Sequence, residues 1–298
     1  MTTRARPSTE AGSALAWCRD RLLVPGHPLS VTLPYAEPGQ RDRILALSAL
    51  VGEIAAVPGE VSEPEVARRK LEWWRSALVA REAHPAIRAW IASGADADLP
   101  AARLTTLIDA VAREIQPPRF EQTAELEHHA QAVAGPAALL EAALVDGGDR
   151  IDRRGEPGRR LQAMAGAAYR LRLVRDVVLD ARRDRWLVPL ELQAEYRITR
   201  HEIAAGEGGY RLDALVRHLA ADAVTELDRN ATAIEAPSAW RHRHLLLKFH
   251  LDRALGRTLL RRPARVARER VPSVGPFAAM STWRRARQLR HAARHPRP

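Results

Sequence analysis

A single cysteine, Cys18, stands in 298 residues. It excludes an intrachain disulfide and a cysteine-rich zinc site, and it fits a reducing cytosol. Aromatic residues make up only 5% of the chain, which suits helices better than sheets built from β-branched and aromatic side chains. No run approaches the roughly 20 apolar residues of a membrane span, and Met1 to Ser13 lack the apolar core of a secretory signal. The expectation is a cytoplasmic protein, soluble or peripheral on the inner membrane. There is no glycine-rich phosphate loop after a strand pattern and no Gly-x-Ser-x-Gly elbow, so nucleotide hydrolases and serine esterases receive no support. Tandem repeats are absent as well. Acids run out toward the C-terminus, where Glu269 is the only one after Arg257.

What is present is alanine, leucine, arginine and glutamate, with a formal charge of +11 carried mainly by arginine. An almost wholly helical, all-α chain follows from that composition. A basic C-terminal segment invites an anionic partner or forms a solvated surface. Phe277, Met280, Trp283 and Leu289 lie among Arg284, Arg285, Arg287 and Arg290, so the segment also reads as a peripheral membrane contact with apolar anchors.

Apolar spacing predicts a first helix from Ala14 to Leu23 and a long one from Arg41 that Pro58-Gly59 stops. Ser62 and Pro64 open a helix that carries Trp73 and Trp74, an aromatic pair expected in the core. Helices follow after His84-Pro85 and Pro100, then a stretch from Glu121 to Leu144 interrupted at Gly135-Pro136, and a loop from Asp146 through Gly158. Three more helices are expected, over Arg211 to Ile234, Ser238 to Leu260 and Gly275 to about Ala293. His242 and His244 lie two apart, which puts them on different helix faces and speaks against a metal cluster with His250.

The segment from Leu161 through Pro189 carries most of the chemistry. Leu161, Met164, Ala168, Leu171, Val174 and Val178 give the threes and fours of a buried amphipathic helix. Asp176, Asp180 and Asp184 follow at intervals of four, three carboxylates on one face near the end where the helix dipole disfavours them. A cation must offset them. It is either a metal-bound diphosphate or the neighbouring Arg172, Arg183 and Arg185, which lie within helical reach as a salt-bridge cluster.

Several landmarks in order resemble the squalene/phytoene synthase family. They are Arg43-Ile-Leu-Ala-Leu-Ser-Ala49 with Glu53-Ile54, Val66 to Arg75 with its tryptophans, His84-Pro85, Ala134-Gly135, and Leu173 to Pro189. The resemblance runs from about Ala14 to Gln288. It implies a single-domain isoprenoid-synthase-like helical bundle around a central cavity at residues 14–290, with a flexible arm at 1–13 and a basic tail at 291–298. In that family two aspartate-rich segments hold Mg²⁺ that binds the diphosphates of two prenyl substrates, because ionising an allylic diphosphate requires its leaving charge to be neutralised. By position, Asp176 and Asp180 are the implied metal ligands. Arg175, Arg172 and Tyr169 are the implied substrate-binding residues, the last two standing where the family has asparagine and glutamine.

The first aspartate motif is missing. Ala55-Ala56-Val57-Pro58-Gly59 occupies its place, Gly52 replaces the arginine before it, and only Glu53 and Glu60 flank it. His128 stands where the third landmark has tyrosine. The pattern is similar to a branch of the family without that motif, to which the mitochondrial complex I assembly factor with a phytoene-synthase-like domain belongs. The resemblance therefore implies a prenyl-diphosphate-binding prenyltransferase of reduced or altered activity with Mg²⁺ at one clamp. The alternative is a non-catalytic assembly or lipid-handling factor with respiratory-complex partners. No nucleic-acid partner is expected.

Overall fold

The computed structural model describes residues 9–148, 152 and 154–295. No strand forms among them, and the connected elements are helices. Two compact units emerge, one from residues 1–116 with 140–151 and the other from 117–139 with 152–298.

The first unit contains α1 (Thr9–Leu22), α2 (Pro28–Thr32), α3 (Arg41–Glu60), α4 (Pro64–Ala80), α5 (Pro85–Ala92), α6 (Ala95–Asp98) and α7 (Ala101–Ala112). Three of these begin on proline, whose fixed φ and missing N–H suit the first helical turn. Histidines cap two of them. Nδ1 of His27 accepts from the Leu29 amide, and Nδ1 of His84 from the Ala86 amide, both at 3.2 Å. Ser62 does not cap α4, since the N-cap is Glu63.

The core of this unit is α3, which buries Ile44, Leu45, Leu47, Leu50, Ile54 and Val57 against α1, α4, α5 and α7. Pro58-Gly59 does not stop α3, which runs on to Glu60. Pro58 sits in the last turn, where little helix remains for it to disrupt, and the Val61 amide still reaches the Val57 carbonyl at 3.3 Å. The tryptophan pair is split. Trp74 is buried, whereas its neighbour Trp73 is exposed at the surface, their rings 5.0 Å apart.

Helix α8 (Thr123–Val145) gives its first part to the second unit and its last residues to the first. It continues through Gly135-Pro136, both of them buried, so the expected interruption does not occur. Of the loop expected from Asp146 through Gly158, residues 149–151 and 153 lie outside the described residues.

The second unit continues with α9 (Glu156–Arg182), α10 (Leu190–Tyr196), α11 (Arg200–Ala205), α12 (Gly209–Thr232), α13 (Ala236–Arg241), α14 (Arg243–Arg261), α15 (Arg265–Arg268) and α16 (Ala278–Arg294). The helix expected from Ser238 to Leu260 is thus broken at His242, which ends α13 and opens α14. Helix α1 starts inside the stretch read as an arm, and α16 runs into the stretch read as a tail. Leu289 is buried and cannot serve as the surface anchor expected of it, whereas Phe277, Met280 and Trp283 are exposed.

Helix α9 organises this unit, packing against α11, α12, α14 and α15. It is not simply amphipathic. Beyond the expected stripe it buries Ala165, Ala167, Arg170, Arg175 and Val177 on other faces. Small residues permit this. A Cβ on Gly166 would lie 3.0 Å from the Gln131 backbone nitrogen and 3.1 Å from its Cα, so α8 and α9 meet backbone to backbone there. Gly166→Val should cost about 3 kcal/mol by overpacking, because the Gln131 Cγ, 2.6 Å from that Cβ, can swing aside but the Gln131 backbone cannot. Its thermal midpoint should fall by several degrees. An unchanged midpoint would show that the helices are not held this closely.

Candidate functional site

The C-terminal end of α9 sets the geometry. Asp184 takes a left-handed conformation with φ of 59°, in the place where glycine usually ends a helix. The Arg185 amide then bonds to the Asp180 carbonyl at 2.9 Å, and the Asp184 amide to the Ala181 carbonyl at 3.4 Å. This is the Schellman closure, and a short polar side chain tolerates it. Asp184 therefore leaves the helical face. Its side chain is 84% exposed and pairs with Arg200 at 2.6 Å, so the stripe of three carboxylates reduces to Asp176 and Asp180.

The same closure turns Arg185 back toward α9. Its Nη2 donates to the Tyr169 hydroxyl at 3.0 Å, and Nη1 lies 3.9 Å from the Asp180 carboxylate. Asp180 and Arg185 also line a small, mainly apolar pocket with Leu173, Val177 and Trp186. At about 30 Å³ it has room for a water molecule but not for a prenyl chain.

Asp176 is enclosed by arginines. Arg270 donates through Nε to Oδ1 at 2.8 Å and through Nη2 to Oδ2 at 3.0 Å. Arg175 donates through Nε to Oδ1 at 2.9 Å and through Nη2 to Oδ2, and its remaining Nη1 donates to Ser273. Both carboxylate oxygens thus accept from two guanidinium groups in the paired geometry that arginine favours. Burial by itself would push the Asp176 carboxyl up, but the hydrogen bonds from Arg270 and Arg175 outweigh it and hold the carboxyl below its ordinary value. Asp176 is only 15% exposed, whereas Arg270 is 65% exposed and is the partner more open to solvent.

Arg172 is engaged elsewhere, donating to both oxygens of Asp252 on α14 at 3.0 and 3.1 Å. The residues expected at the site thus divide. Asp176 and Arg175 form one cluster with Arg270, Tyr169 and Asp180 are joined through Arg185, and Arg172 belongs to a separate pair. Sequence reasoning missed Arg270 and Ser273, which lie nearly a hundred residues away in the chain. It also missed Arg170, which is 2% exposed and bridges Glu127 on α8 at 2.7 Å and Glu226 on α12. Its place among the apolar residues of α9 was the available signal. Burial and the nearby Glu127 raise the Glu226 carboxyl despite the opposing attraction of Arg170.

The segment in place of the first motif carries no acid, and its flanking acids are paired within their own unit. Glu53 lies 2.8 Å from Arg21, and Glu60 2.8 Å from Lys70. Cys18 is buried, and burial pushes its thiol up to about 11, which leaves little thiolate at neutral pH.

The sequence profile described as Squalene/phytoene synthase matches residues 25–276. The chain belongs to the squalene/phytoene synthase family. Its fold is that of solved isoprenoid synthases. The squalene synthase HpnC from Alicyclobacillus acidocaldarius is similar at a TM-score of 0.65 and 20% identity, over 86% of this chain and 96% of that one. A dehydrosqualene synthase solved with a ligand gives 0.68 and 12%, over 97% and 99%. YisP from Bacillus subtilis gives 0.65 and 14%, over 94% and 99%. No curated protein matches the chain. Identities this low carry the all-α fold and not a particular activity.

The family implies magnesium. Its hard-oxygen chemistry suits carboxylates, but both oxygens of Asp176 are already committed to guanidinium donors, and an ion there would have to displace Arg175 or Arg270. No group of three or more His, Cys, Asp or Glu that could hold a metal occurs among the described residues. The donor set as arranged fits an arginine clamp better than a metal centre.

Two stability measurements test these contacts. Replacing Arg170 with methionine leaves the half-buried Glu226 without the cation that bridges it to Glu127 and should cost about 3 kcal/mol in urea unfolding. Adding Glu127→Gln and Glu226→Gln should recover most of that loss. Asp176→Asn should cost about 2 kcal/mol at neutral pH, the scale of hydrogen bonds to a charged group. Because the folded Asp176 carboxyl is depressed, the unfolded chain takes the proton first on acidification. The stability Asp176 contributes is therefore present above its ordinary value of 3.8 and lost as pH falls through the lower folded value. The gap between wild type and Asp176→Asn should accordingly close in strong acid, and a gap independent of pH would contradict the clamp.

Proposed function

We propose that this squalene/phytoene synthase family protein binds a prenyl diphosphate through arginines and ionises it weakly or not at all. The observation that carries this reading is the Asp176 carboxylate held by Arg175 and Arg270, on the helix that bears the family's second motif. With Ala55 to Gly59 in place of the first motif, the charge on a departing diphosphate lacks the paired metal clamps. Electrostatic stabilisation of this kind commonly supplies several kcal/mol, and removing a single donor costs about 10²–10³-fold in rate. Arg270, exposed and already oriented, is the cation best placed to transfer from Asp176 to an incoming phosphate. Arg175 beside it and Arg185 beside Asp180 would add to the positive field. On this reading Asp176 keeps two guanidiniums ordered for an incoming phosphate, and magnesium is dispensable for binding.

A second reading is a non-catalytic assembly or lipid-handling factor. The same loss of acids supports it, together with the exposed Phe277, Met280 and Trp283. No helix among the described residues is long and apolar enough to cross a membrane.

Farnesyl or geranylgeranyl diphosphate distinguishes these readings. Calorimetry should show binding that persists in EDTA and weakens about tenfold in Arg270→Gln, the loss of one charged hydrogen-bonding partner. Diphosphate release with Mg²⁺, with or without NADPH, should be slow or absent. Binding that requires Mg²⁺ and disappears in Asp176→Asn with Asp180→Asn would make the aspartates metal ligands instead. No binding under any condition would leave the non-catalytic factor.

A further inference from the structure

Away from Asp176, helices α9, α12, α14 and α16 border a pocket of about 450 Å³, well inside the range of small-molecule sites. Its lining is mixed. Phe249, Phe277 and Met280 supply apolar surface, Arg253, Arg284 and Arg285 make it basic, and His250 adds an imidazole. Asp228 is the only acid among the lining residues, and it is committed to Arg253, which donates to it through Nη2 at 2.8 Å. Arg285 has no such partner. Its one hydrogen bond among the described residues goes to Gln288 Oε1 at 3.4 Å, a long contact. Burial and the charge of Arg253 hold the Arg285 guanidinium below its ordinary pKa. Nε2 of His250 is likewise buried with no hydrogen-bond partner among the described residues. Burial, followed by Arg285, Arg253 and Arg257, pushes its pKa down to about 4, so the imidazole is neutral at physiological pH.

A guanidinium with no carboxylate partner among the described residues, beside a buried imidazole nitrogen with no hydrogen bond, is costly unless an anion completes them. The rim adds a second observation. Phe277, Met280 and Trp283 are exposed along the start of α16, and the Arg287 guanidinium lies 4.9 Å from the Trp283 ring. Large apolar side chains next to cations are the composition of a surface that meets lipid headgroups. An inorganic anion would use the cations but leave the apolar wall and rim idle. A molecule with a phosphate and attached acyl chains uses both.

We propose that this pocket takes the phosphate of an anionic phospholipid at a membrane surface, with Arg284, Arg285 and His250 as its donors and Phe277, Met280 and Trp283 among the acyl chains. The site shares no residue with the Asp176 cluster, so it stands or falls separately from the prenyl diphosphate reading.

Co-sedimentation of the full chain with phosphatidylcholine vesicles, with and without phosphatidylglycerol, tests it at physiological salt. Binding should require phosphatidylglycerol and fall about tenfold in Arg285→Gln, the scale of a charge-assisted hydrogen bond lost. Arg290→Gln, an exposed charge on the same helix, should lose far less. Phe277→Ser with Met280→Ser should also release the protein from vesicles, with the thermal midpoint of each variant compared to wild type. Short-chain phosphatidylglycerol should shift the His250 ring resonances, and this reads the pocket without a vesicle. Equal losses in Arg285→Gln and Arg290→Gln would reduce the effect to general charge attraction and overturn the proposal. Binding to neutral vesicles alone would overturn it too, as would competition by inorganic phosphate as effective as that by the lipid.

Discussion

Charges on a helix that is buried over most of its surface must be paired, because an ion left alone in a low-dielectric interior costs several kcal/mol. Helix α9 lives under that constraint. Arg170 is matched by Glu127 and Glu226, Arg172 by Asp252, and Asp176 by Arg175 and Arg270. Arg175 lies on α9 itself, and the other partners come from α8, α12, α14 and the segment after α15. Each pair that crosses to one of those elements is therefore also a tie that sets how that element docks on α9. The close approach at Gly166 and the buried alanines serve the same packing, since helices carrying bulkier side chains would stand too far apart for the ion pairs to close.

The chemistry follows from the way those pairs are made. A carboxylate that accepts four guanidinium hydrogen bonds is a poor metal ligand and a good organiser of positive charge. The Schellman closure after Arg182 has a related effect, because it removes Asp184 from the face and returns Arg185 to Asp180 and Tyr169. The end of α9 thus shifts from an acidic stripe toward a set of ordered arginines. The pocket bordered by α16 has the opposite imbalance, since among the described residues Arg285 has no carboxylate partner and Nε2 of His250 no hydrogen bond.

Local signals identified most helices correctly. Proline at the first turn and apolar residues at spacings of three and four are backbone and face properties, which do not depend on distant residues. Errors arose where tertiary packing overrides such signals. Pro58 costs α3 little so near its end, and Gly135-Pro136 is carried within the buried α8. Trp73 and Trp74 are adjacent and so point in different directions, which is why only one of them enters the core.

At the candidate site, the missing acids at Ala55 to Gly59, the pair Asp176 and Asp180, and the involvement of arginine were legible without coordinates. Residue identity and helical spacing suffice for these, as they did for the all-α class. The sequence could not decide which arginines would neutralise which aspartate. Arg270 and Ser273 reach Asp176 only because the chain folds back after α14, and Asp184 departs only because the helix closes at φ of 59°. Composition and periodicity determined that α9 would be buried and charged; tertiary structure decided the partners, since an ion pair depends on distance in space and not on separation along the chain.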